Sequence, residues 1–121
     1  MNELVDQLAS RAGMDDAVAE KTIGIMLDYL RSEGPPEPVQ VLIDGIPGAE
    51  ATIAAARKGS GLSQLMGGGL MAVGTRLMGL GLTITDIQAI ARELFAFGRD
   101  KIGADRMGAI IAGTPGLSHF A

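Results

Sequence analysis

Residues 43–48 read Ile43-Asp44-Gly45-Ile46-Pro47-Gly48, and residues 111–116 read Ile111-Ala112-Gly113-Thr114-Pro115-Gly116. The two strings share an Ile-x-Gly-x-Pro-Gly frame and lie 68 positions apart. Gly45 and Gly113 stand where a helix C-terminus favours a residue that tolerates left-handed φ. Pro47-Gly48 and Pro115-Gly116 supply the second and third residues of a type II β-turn. Both strings therefore read as structural punctuation, closing two equivalent short helices.

Working outward, residues 1–50 slide onto 69–118 without a gap. Gly13 meets Gly81, Asp15 meets Thr83, Met26 meets Leu94, Tyr29 meets Phe97 and Arg31 meets Arg99. In the first half, Leu4, Val5, Leu8 and Ala12 have helical spacing over 2–12, and Gly13 supplies a stop. Asp15 reads as the N-cap of a second helix running to about Ser32. Its apolar stripe is Val18, Ala19, Ile23, Met26, Leu27 and Leu30, and Gly34-Pro35-Pro36 ends it. In the second half, Thr83-Ile84-Thr85-Asp86 has the form of a capping box, with Asp as a shorter substitute for Glu or Gln. The helix it opens extends to about Lys101, with Ile87, Ile90, Leu94 and Phe97 on one face, and Gly103 interrupts it.

Residues 38–44 are ambiguous in isolation. Val39, Val41 and Ile43 alternate like a strand, while Val39, Leu42 and Ile43 fit a helical face. The partner segment 104–112 carries Met107, Ile110 and Ile111 at helical spacing, which favours a short helix in both places. An Ala-rich helix is expected at about 49–57, broken by Lys58-Gly59-Ser60-Gly61.

The middle of the chain, residues 67–82, reads GGGLMAVGTRLMGLGL. Within it Gly67, Leu70, Met71, Gly74, Leu77, Met78 and Gly81 recur on a seven-residue period, giving a helix face with a glycine groove bordered by Leu and Met. Such a groove lets another backbone approach, and the Ala-rich helix 51–56 is the expected partner. The alternatives are a self-association surface, for which Leu70, Met71, Leu77 and Met78 are the candidate interface residues, and membrane insertion. Arg76 in mid-segment argues against insertion.

Composition narrows the function classes. One domain of 121 residues with 47% hydrophobic residues can bury a core, and its 18 glycines are about twice the usual share of roughly 7%. The aromatics are Tyr29, Phe95, Phe97 and Phe120 alone, so the core must be aliphatic and Met-rich. A net charge of −4 argues against nucleic acid, whose binders present basic faces. There is no cysteine for a disulfide or thiolate metal site. The polar opening MNELVDQLASRAG lacks the character of a signal peptide, which makes a cytoplasmic location the expectation.

No motif carries catalysis. Gly79-Leu80-Gly81 lacks the third glycine of a dinucleotide loop, and Gly74 to Gly79 has P-loop spacing without the following Lys-Ser/Thr. The Arg57-Lys58-Gly59-Ser60-Gly61 loop reads as a connector. His119, the sole histidine, lies in the C-terminal tail, and Asp15-Asp16 with Glu20 reads as charge at a helix N-terminus. No catalytic, cofactor-binding or metal-ligating residue is assigned, and no enzyme is expected.

The opening MNELVDQLASRAGMDDAVAEKTIGIMLDYL resembles the N-terminal helical hairpin of the bacterial histone-like HU family. That resemblance would imply DNA binding, but it ends near residue 34, where an acidic helical sequence replaces the expected sheet and basic arms. Over nearly the whole chain, the order of hairpin, IPGAE, glycine-rich middle, ITDIQAIARELFAFGRDKIG and TPGLSHF resembles a bacterial family of short glycine-rich proteins of uncharacterised function. It implies no activity and no site residues.

The sequence thus predicts an all-α single domain, 1–121, of six or seven helices in two pseudo-repeats, about 1–50 and 69–118, around a Gly-rich central segment. The leading functional expectation is a non-enzymatic interaction or self-association module, a homodimer or a partner of another protein. The alternative is a carrier of a small apolar ligand or lipid held between the repeats, which requires a closed apolar cavity of a few hundred Å3.

Overall fold

The computed structural model of the chain describes residues 2–58, 70–114 and 116. These form seven α-helices: α1 (Asn2–Ala12), α2 (Asp16–Glu33), α3 (Pro36–Asp44), α4 (Ala49–Lys58), α5 (Leu70–Met78), α6 (Ile84–Ile102) and α7 (Ala104–Gly113). The fold is all-α, and no strand occurs among the described residues.

The helix ends follow from local chemistry. Gly13, at φ +68°, terminates α1, and Asp15 is the extended N-cap of α2, although its side chain makes no capping bond. The Pro35-Pro36 pair both closes α2 and opens α3, with Pro36 in the first turn, where a missing N–H costs nothing. The segment at 38–44 is helical, as its spacing partner implied. At α6 the capping box is complete despite the shorter Asp: Asp86 N donates to Thr83 Oγ1 at 3.1 Å, and Thr83 N to Asp86 Oδ2 at 3.0 Å.

The glycine-proline punctuation needs correcting in one respect. Gly45 is right-handed, with φ −77° and ψ −7°, and its N–H still reaches Val41 O and Leu42 O at 3.1 Å. Gly113 lies inside α7 and is likewise not left-handed. The left-handed residues are Gly48, at φ +84°, and Gly116, at φ +83°. An Ala49 N to Ile46 O bond of 3.1 Å closes the turn around Pro47-Gly48. That turn needs positive φ at its third residue, so the demand falls on Gly48, and the helix end can unwind through a right-handed Gly45.

Packing centres on α2. α1 and α5 each contact both long helices, α2 and α6, while α3 and α7 pack against each other and α4 lies along α2. Sequence spacing gave α2 one apolar stripe, yet Thr22 to Leu30 are all buried, including Gly24, Ile25, Asp28 and Tyr29. The Ala-rich helix is also placed differently from expectation. It meets Gly24 of α2, where a Cβ would stand 2.6 Å from the Thr52 carbonyl oxygen. Gly74, at the centre of the expected glycine groove, has nothing among the described residues within 4 Å of its missing Cβ. Gly67 lies outside the described residues.

Gly24→Ala should therefore destabilise the protein by about 2 kcal/mol, the usual cost of overpacking, even though Ala is the better helix former. Urea unfolding midpoints measure this; an unchanged or raised midpoint would show that α4 is not held at Gly24.

Candidate functional site

The side chains of α2, α5 and α6 meet imperfectly, leaving a cavity of about 140 Å3. Met26, Tyr29 and Leu30 of α2 form one wall and Val73, Gly74, Leu77 and Met78 of α5 a second. Ile87, Ala91, Leu94 and Phe95 of α6 form the third, and Ile84 stands at the start of that helix. The surface is almost wholly apolar. Most of these residues are buried, but Met78 is 50% and Ile84 61% exposed. They are the two large exposed apolar side chains among the described residues, and both line the cavity.

Each wall is held by features the sequence makes readable. On α6, Ile87, Ala91 and Leu94 lie at helical spacing behind the Thr83 cap. On α5, Val73 and Leu77 face inward at i and i+4. α5 is fixed by Arg76, whose Nη2 donates to the Ala56 carbonyl of α4 at 2.7 Å and whose Nη1 lies 3.9 Å from Asp28 Oδ2 of α2. One guanidinium thus ties three helices, neutralises a buried carboxylate and takes up a carbonyl in the last turn of α4. Among the described residues, no buried side-chain nitrogen or oxygen lacks a partner.

Gly74 contributes space. A glycine in a helix interior costs about 1 kcal/mol relative to alanine, and here no backbone among the described residues uses the room it leaves. Gly24 and Gly98 differ: a Cβ on Gly24 would strike Thr52, and one on Gly98 would collide with Met107 Sδ.

Of the four candidate interface residues, Leu77 and Met78 both line the pocket. Leu77 is fully buried within the chain, a core residue rather than part of a free face, and Met78 is half exposed. Leu70 and Met71 belong to α5, but their side chains lie outside the described residues, as do His119 and residues 59–61 of the basic connector. Sequence reasoning missed Gly74, Ile84 and Met26 as members of one site. Met26 carried the right signal through its alignment with Leu94, another lining residue. The exposure of Ile84 had no local signal.

A second, more open groove of about 770 Å3 runs between α2, α4 and the end of α5. Glu20 and Lys21 stand on its walls beside Ala51 and Ala55, and its Arg76 is already committed to Asp28 and Ala56. Among the described residues no group of three His, Asp or Glu side chains is placed to hold a metal ion, and no helix is long and apolar enough to cross a membrane.

Fold and site together define an all-α protein, with seven helices among the described residues and a small apolar pocket where three of them meet. Comparison with family models, with curated proteins and with solved structures finds no match to the chain.

Tyr29, the single tyrosine, provides a built-in probe of the pocket wall. Burial raises its pKa above the ordinary phenol value, and the nearby Glu33 carboxylate raises it further. The folded pKa exceeds the unfolded one, so this contribution to stability is complete below about pH 10 and is lost as pH climbs through the folded pKa. Tyrosinate absorbance at alkaline pH should rise later in the folded protein than in denaturant. Coincident titrations would place Tyr29 in water.

Proposed function

We propose that the protein is a non-catalytic binding module that takes a compact apolar group into the pocket between α2, α5 and α6. The observation that carries this reading is the pocket itself: an apolar space whose lining includes two exposed apolar side chains. Its volume is below the few hundred Å3 of a drug-sized site, which argues against enclosing a whole lipid. A cavity of about 150 Å3 with aliphatic and aromatic walls stays dry and admits benzene, so 140 Å3 suits one ring or a short branched hydrocarbon group. The bound group fills space that water occupies poorly and restores dispersion contacts that the lining atoms lack.

Benzene or toluene added to the folded protein should shift the methyl resonances of Met26 and Met78, which lie in opposite walls. It should also raise Tm by about 5 °C at ten times Kd, the shift expected for a ligand that binds only the native state of a domain this size. No methyl shift and no Tm change near aqueous saturation would eliminate the reading.

Self-association is the second reading, and the exposure of Met78 and Ile84 side by side with the pocket favours it. It expects a dimer that dissociates in Met78→Glu or Ile84→Glu. Sedimentation showing only monomer at several hundred micromolar would remove it.

A further inference from the structure

We infer that Gly74 is the specificity-determining residue of this pocket: its absent side chain forms part of the binding volume, so it sets the largest uncharged hydrocarbon group that can enter. The inference rests on the binding reading above and adds to it the class of ligand and the residue that selects it.

The charge requirement follows from the walls. Tyr29 is the one titratable residue among the lining side chains, and the lining surface is almost wholly carbon. A carboxylate or ammonium inside would lose its hydration with no partner, a penalty no apolar contact offsets. The buried part of the ligand is therefore uncharged, and any polar end stays in solvent.

The size requirement follows from Gly74. It stands in the middle of α5, half-buried and lining the cavity, and a Cβ built on it meets no atom of the described residues within 4 Å. Alanine there would strengthen the helix without a clash against any described residue, so packing among the described residues gives no reason for glycine. Gly108 of α7 makes the contrast. It is also helical and also has nothing within 4 Å of a built Cβ, but it is exposed and lines no pocket. The open space at Gly108 is solvent, whereas the space at Gly74 borders the cavity between α2 and α6. A methyl group added at this lining position takes up pocket volume, and one carbon in an apolar pocket is worth about tenfold or more in discrimination.

The test compares benzene, toluene and para-xylene on three forms of the full chain, by Tyr29 fluorescence and by the Met26 and Met78 methyl resonances. The wild-type protein should bind benzene and toluene. Gly74→Ala should melt higher when free, yet lose at least about tenfold in toluene affinity and more for para-xylene than for benzene. Gly108→Ala should gain similar thermal stability with toluene affinity unchanged, which separates helix strengthening from pocket filling. If Gly74→Ala binds the three probes as the wild type does, Gly74 is not the selector, although the binding reading survives. If the wild type binds none of them near aqueous saturation, both fall. Equal or tighter binding of benzoate than of toluene would overturn the charge requirement.

Discussion

Nine consecutive residues of α2, Thr22 to Leu30, are removed from solvent, and the rest of the chain is arranged to bring this about. A helix buried on every side needs neighbours on every side, and α1, α3, α4 and α5 all pack against it. Within the run, three residues do not belong to an ordinary apolar core, and each has a specific answer. Thr22 Oγ1 donates to the Val18 carbonyl at 2.8 Å, which removes its need for water. Gly24 has no side chain, and the backbone of α4 at Thr52 occupies that room. Asp28 brings a negative charge inside, and Arg76 reaches it from α5. The position of α4 is thus set by a missing side chain, and that of α5 by a charge.

Much of this was legible in the sequence because helix ends are local events. The stops at Gly13 and Gly103, the Thr83 capping box and the helical spacing of Met107, Ile110 and Ile111 all depend on residues within a turn or two of one another. The helix starts even recur at the offset of the Pro-Gly strings, Asp16 with Ile84 and Pro36 with Ala104, as do the left-handed Gly48 and Gly116. Gly103 departs from the pattern: it is left-handed, where Pro35 in the first half has φ −65°.

What was not legible depends on which faces meet. The alanines of α4 announce a close approach but do not name the partner, and both Gly24 and Gly74 could have received them. Leu77 and Met78 are neighbours of similar chemistry, yet one is fully buried and the other half exposed, because the helix turns about 100° between them. A cavity is harder still to foresee. It is the volume left when three apolar faces fail to interlock, and spacing along one chain segment carries no information about that remainder.

Arg76 ties α5 to its neighbours, which opposes a shift of that helix into the pocket. At nine residues with a glycine in its middle, α5 is too short to be stable alone, so its place is set by what it touches. Closing a 140 Å3 void would return about 3 kcal/mol at the usual cost per unit of cavity volume. A shift of α5 toward α2 and α6 would draw Arg76 away from the Ala56 carbonyl and change its distance from Asp28. The bond from the Arg76 guanidinium to the Ala56 carbonyl, 2.7 Å long, would be lost, and a hydrogen bond from a charged donor is worth about 1.5–3 kcal/mol. The polar clamp on one side of α5 therefore opposes the pull of the void on the other with an energy of the same order. The guanidinium that approaches the buried charge of α2 also bonds the α4 backbone, and it holds α5 on the side away from the pocket-lining Val73 and Leu77.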